Sequence, residues 1–117
     1  LNGGTSLGIN FFDSKENTIK KWTQRAYPEN DNRRGIGFDK PALEYDHGPT
    51  CNLASKSSFG HSGFTGTLLW VDPQYELVYV FLSNRTYPDS ENTKLITMDV
   101  RTEIQRVIME QLNTSLR

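Results

Sequence analysis

The run Phe59-Gly60-His61-Ser62-Gly63-Phe64-Thr65-Gly66-Thr67 concentrates the groups of this chain best suited to chemistry. His61 carries a ring that can accept or donate a proton near neutral pH, and Ser62 beside it offers a hydroxyl that such a ring can orient. Glycines at 60, 63 and 66 leave the backbone clear of Cβ atoms, so a ligand or another stretch of chain can approach closely. Taken alone, so short a pattern is more commonly a glycine-rich strand entry with one satisfied histidine. A second constellation is Asp46, His47, Cys51 and His61. The four- and ten-residue steps from His47 to Cys51 and from Cys51 to His61 match no common zinc finger, so no metal and no cofactor is assigned. Cys51 reads instead as a small, buried or half-buried thiol in a loop.

Composition removes several classes of function. The 117 residues leave room for one domain, and 13 Lys+Arg against 14 Asp+Glu give a net charge of -1. Without a basic stripe there is no case for a nucleic-acid partner. At 35% hydrophobic and 23% charged the chain is far from the composition of a disordered one. A single cysteine excludes an internal disulfide framework. No apolar run approaches the roughly 18 residues of a membrane span. Because the chain opens on Leu1 and shows no signal-peptide pattern, it reads as a segment cut from something longer.

The elements that must hold His61 in place are legible in part. Residues 1–33 read as helix and loop, residues 34–84 as strands, and residues 85–117 as a loop and a last helix. Asp13 and Glu16 have capping-box spacing ahead of a short helix over 14–24, whose apolar positions are Ile19 and Trp22. Residues 34–38 alternate as a short strand with Ile36 and Phe38 on one face. Residues 39–57 have no period, and a connection of that length usually lines a site or wraps a surface. Two strand-like runs, 64–71 and 77–83, flank Asp72-Pro73, whose residue types suit a type I turn, which makes a hairpin. Leu77, Tyr79 and Phe81 face one way and Val78, Val80 and Leu82 the other, so both faces of the second strand are apolar. A last helix over about 95–112 carries Ile96, Val100, Ile104, Val107, Ile108 and Leu112 as one stripe, with Arg106 and Glu110 paired off it. The fold class is α+β: a small antiparallel sheet over about 34–38, 59–71 and 77–84, flanked by helices. One amphipathic helix covers one sheet face only. The isolated chain is therefore expected to pair with a second copy, unless residues 39–57 fold over the open face.

With these parts in order, the stretch from Gly60 to Asn84 resembles the last strands of the serine β-lactamase and penicillin-binding-protein superfamily, in its class C, esterase and D,D-peptidase-like branch. The matching residues are His61-Ser62-Gly63, Trp70-Val71-Asp72-Pro73, Leu82-Ser83-Asn84-Arg85, Tyr87-Pro88 and the final helix. Leu1-Asn2-Gly3-Gly4 and Arg33-Arg34-Gly35-Ile36-Gly37-Phe38 look like the family's preceding segments. The resemblance implies a catalytic wall. His61 would take the place of the third-motif Lys or His, and Ser62 would donate to a substrate carboxylate or carbonyl. Gly63 would keep the strand edge clear, and the Phe64 backbone N–H would be one of two oxyanion donors. Asn84 and Arg85 would be substrate-facing polar groups. It also implies a small acyl or peptidoglycan-like substrate, a location outside the cytoplasm, and in some members a fused glycosidase domain.

The departures are as informative. No Ser is followed three residues later by Lys, and Thr18-Ile19-Lys20-Lys21 has the spacing with the wrong nucleophile. The second motif has only Ser90-Glu91-Asn92 to offer, out of order. Without nucleophile and base, covalent catalysis has no first step. The expectation is a wall of a serine-hydrolase site that is inactive alone. The alternative is a non-catalytic binding or interaction module that retains the strands.

Overall fold

The computed structural model describes residues 4–12, 18–30, 32–43 and 48–115. The expected capping box at Asp13 and Glu16 and the first residues of the expected helix lie outside them. Two short strands, β1 (Thr5–Ser6) and β2 (Ile9–Asn10), form an exposed antiparallel ribbon, and α1 runs over Thr18–Thr23. A single 3₁₀ turn follows at Pro28–Asn30.

The central sheet holds β3 (Phe59–Ser62), β4 (Leu68–Asp72) and β5 (Leu77–Phe81) in the antiparallel order β3-β4-β5. Its register pairs His61 with Leu69, Leu69 with Val80, and Trp70 with both Gly60 and Tyr79. Leu68, Trp70 and Tyr79 on one face are buried and make the core, joined by Phe81 and by Ile108 of the last helix. Apolar burial of this kind stabilises by roughly 1.5–3 kcal/mol per large side chain.

The structure corrects two strands of the expected sheet. Residues 59–71 are not one strand but two, because Gly63 N–H donates to Thr67 O (2.8 Å) and Gly66 N–H to Gly63 O (2.9 Å), which folds residues 63–67 into a turn. Residues 34–38 are a turn, not a strand: Gly35 N–H donates to Phe38 O (2.8 Å), and Gly37 takes φ +78, a conformation that L side chains rarely adopt. That turn brings Arg34 opposite Asp39, and Asp39 then exchanges both backbone hydrogen bonds with Gly60, at 2.7 and 3.0 Å. Asp39 is thus a one-residue fourth strand beside β3.

The last helix is also divided. After α2 (Lys94–Thr97), Asp99 adopts φ +50, and α3 (Val100–Ser115) starts anew with the Asp99 carbonyl accepting from Glu103 N–H at 3.0 Å. Aspartate is among the few residues that tolerate this left-handed backbone. The expected stripe is buried only in part: Ile108 packs on the core and Val100 and Leu112 are half-buried. Thr102, Gln105 and Met109 are buried, whereas Ile96, Ile104 and Val107 are exposed. Hydrogen bonds select the docking face: Gln105 Oε1 accepts from Cys51 N–H (3.0 Å), Tyr79 Oη donates to Arg101 O (3.1 Å) and Tyr75 Oη to Asn113 Oδ1 (2.9 Å). The expected Arg106–Glu110 pair is present at 3.1 Å, with Glu103 as a second partner.

Among its described residues the loop over 39–57 wraps the buried end of the sheet rather than its open face. Ser55 donates to Asp72 from both its N–H (2.8 Å) and its hydroxyl (2.5 Å), while Lys40 Nζ donates to Ser57 O at 2.9 Å. Leu69, Val78, Val80 and Leu82 on the other face stay exposed, Leu82 at 80%. Lys40 is buried, and burial first, then the Arg25 charge, lower its pKa to about 8 against a weaker opposing pull from Asp72. The unfolded lysine binds its proton up to about pH 10.5, so stability should rise with pH between those two values. Cys51 and Tyr79, both raised by burial, work the other way at alkaline pH. Urea melts of wild type and Lys40→Met from pH 7 to 10 separate the contributions. Wild type should gain on the order of 2 kcal/mol relative to the variant as pH rises, and a pH-independent difference would contradict the assignment.

Candidate active site

β3 ends at an edge. Asp39 pairs with β3 only at Gly60, so among the described residues His61 and Ser62 have strand partners on the β4 side only. His61 is exposed, Ser62 is half-buried, and Gly63 is exposed at the start of the turn. A Cβ on Gly63 would lie 2.4 Å from Thr67 Oγ1, so any larger residue would displace the hydroxyl packed beneath the edge.

The His61 ring has two partners. Nδ1 lies 2.7 Å from Ser62 O, and Nε2 lies 3.3 Å from Arg34 NH1. Ser62 Oγ has no hydrogen-bond partner among the described residues. Phe64 is 78% exposed, and its N–H donates to no described group.

Arg85 is drawn into the same corner. Its backbone N–H donates to Thr65 O (2.9 Å), its Nε to Phe64 O (2.8 Å) and its NH1 to Ser90 O (3.2 Å), and its guanidinium stacks over the Phe64 ring at 4.7 Å. All but the Ser90 contact tie the loop after β5 to the 63–67 turn. Asn84 is turned to its own loop, accepting from Thr86 Oγ1 at 2.8 Å. The structure therefore gathers His61, Ser62, Gly63, Phe64 and Arg85 and leaves Asn84 at the rim.

Arg34 and Asp39 complete the corner and carry no motif of their own. Asp39 is buried and accepts two ion pairs, from Arg33 NH1 at 2.7 Å and from Arg34 NH1 at 2.5 Å. The available signal was the Gly35-Ile36-Gly37 turn, which folds residue 34 back onto residue 39. For the metal reading, no three His, Cys, Asp or Glu side chains converge among the described residues, and Asp46 and His47 lie outside them. Among the described residues no helix is long and apolar enough to cross a membrane.

The β-lactamase family model matches residues 11–101, and the chain belongs to that family. A putative D-alanyl-D-alanine carboxypeptidase of Salmonella typhi is 36% identical over 96 residues, which are 81% of this chain and 21% of that protein. The putative D-alanyl-D-alanine carboxypeptidase of Salmonella paratyphi B matches at the same identity and coverage. The chain thus spans about a fifth of the length of these relatives. A β-lactamase crystal structure from Mycobacterium bovis superposes with a TM-score of 0.58 at 24% identity, over 79% of this chain and 35% of that one, which supports the fold.

Proposed function

We propose that this chain is the C-terminal wall of a serine acyl-hydrolase site, acting on a β-lactam, a D,D-peptide or an ester, and that the nucleophile comes from residues outside it. The observation that carries the reading is the edge at His61-Ser62-Gly63, which among the described residues has β4 as its one strand neighbour, followed by a Phe64 N–H that donates to no described group. Such an edge can align an extended acyl substrate by backbone hydrogen bonds, with the N–H receiving the developing oxyanion. Ser62 Oγ, also unengaged, can donate to a substrate carboxylate or carbonyl. On this reading the substrate is a small acyl or peptidoglycan-like compound and the protein works outside the cytoplasm.

Phe64→Pro removes the proposed donor together with the ring stacked on Arg85, so Phe64→Ala, which loses the ring and keeps the N–H, is its control. In the longer protein that contains this chain, Phe64→Pro should lower the rate of acylation by labelled penicillin by about 10²–10³-fold while the variant remains folded. A folded variant acylated at the wild-type rate would overturn the assignment. The absence of Ser-x-x-Lys within the chain favours the second reading, a binding module without chemistry. The residues encoded ahead of Leu1 separate the two, because the hydrolase needs Ser-x-x-Lys and Tyr-x-Asn there.

The open sheet face bears on the same question. Leu69, Val78, Val80 and Leu82 need a cover, which other parts of a longer protein would supply. The chain expressed by itself should associate into dimers at micromolar concentration. Sedimentation of a monomer with a cooperative melt would contradict this.

A further inference from the structure

His61 Nδ1 faces a carbonyl oxygen, which can only accept, and His61 Nε2 faces a guanidinium, which can only donate. Both contacts are met by one arrangement alone, a neutral ring with its proton on Nδ1 and its lone pair on Nε2. The Arg34 NH1 group that meets Nε2 at 3.3 Å also forms an ion pair with Asp39 Oδ1 at 2.5 Å, which ties the guanidinium to a buried carboxylate. Asp39 is itself fixed, buried, paired by backbone to Gly60 and held by Arg33 from the other side.

We propose that Arg34, pinned by Asp39, is a positioning residue that locks His61 as the Nδ1–H tautomer. The inference deepens the hydrolase reading and rests on it for its meaning: positive charge at this wall comes from the Arg34 guanidinium, and the imidazole is an oriented, uncharged ring. His61 Nε2 then has no proton to give a substrate. A guanidinium beside the strand edge takes the electrostatic role, and its fork can serve an anionic group only by turning from His61. Arg34 is half exposed, so replacing it removes the lock without opening the core.

Nitrogen-15 spectra of the imidazoles in the 117-residue chain test this directly. A His47→Gln background leaves His61 as the one histidine signal, and spectra are recorded at about pH 8, above the ordinary imidazole range. Wild type should show the proton on Nδ1. In Arg34→Ala it should move to Nε2, the form free imidazole side chains favour in water, with the backbone spectrum otherwise kept. Arg34→Lys, which keeps a donor but loses the fork, should restore part of the Nδ1–H population. Asp39→Asn should loosen the lock without abolishing it. A wild-type ring protonated on Nε2, or a tautomer unchanged in Arg34→Ala, would overturn the proposal. These spectra need no turnover, so a failed acylation would count against the hydrolase reading and leave the tautomer result standing.

Discussion

Gly60→Ala is expected to unfold the sheet edge. A Cβ at this position would lie 2.2 Å from Leu69 O, 2.4 Å from Trp70 Cε3 and 2.8 Å from Trp70 Cα. Two of those atoms are β4 backbone and the third belongs to a buried indole, so nothing nearby can yield cheaply. Overpacking a core costs roughly 1–3 kcal/mol, and a clash with a fixed strand belongs at or above the top of that range. To relieve it β3 must move away from β4, which carries His61 out of register and breaks the Asp39 bridge at the same residue. Denaturant midpoints should fall sharply, and in the longer protein acylation should fall with them. A variant within about 0.5 kcal/mol of wild type would show that β3 does not pack as described.

Asp72→Ala should be comparably damaging for a different reason. The buried carboxylate accepts from Ser55 N–H, Ser55 Oγ and, at 3.2 Å, Gln74 N–H, so one side chain joins the loop over 48–58 to the hairpin turn. It also lies close enough to oppose the desolvation of Lys40. Its removal strands a buried N–H and leaves the Lys40 ammonium with less compensation. Breaking a buried charged network in this way costs about 3–5 kcal/mol. Combining it with Lys40→Met should recover part of the loss, because the uncompensated charge goes too. Additive effects in the double variant would remove the coupling.

Much of this fold could be read in the residue order. The alternation from Leu77 to Leu82 announced a strand with two apolar faces, and the structure buries Tyr79 while leaving Val78 and Val80 in the open. Asp72-Pro73 marked the hairpin turn, which Tyr75 N–H closes onto Asp72 O at 3.3 Å and Glu76 completes at φ +51. What failed was local pattern against tertiary geometry. Ile36 and Phe38 alternate like a strand, yet the glycines between and before them make the tighter turn the better solution. Gly63 and Gly66 looked like sites of close approach within one strand, and they are the turn between two. The stripe on α3 was right at Ile108 and not at Ile104 or Val107, because the helix also docks through Gln105, whose amide satisfies a loop N–H that no apolar side chain could. At the site, the His-Ser-Gly run was legible by its residue types. The Asp39–Arg34–His61 chain was not, because it depends on a turn that brings positions 27 apart into contact.

If these residues form a wall and not a nucleophile, as proposed, labelled penicillin tests it most directly. The chain alone and the longer protein containing it are incubated with the reagent and mapped by mass spectrometry. The chain alone should carry no adduct on any residue, and the longer protein should be labelled on a serine outside this sequence. A covalent adduct on Ser62, or on any other residue of the chain alone, would contradict the account.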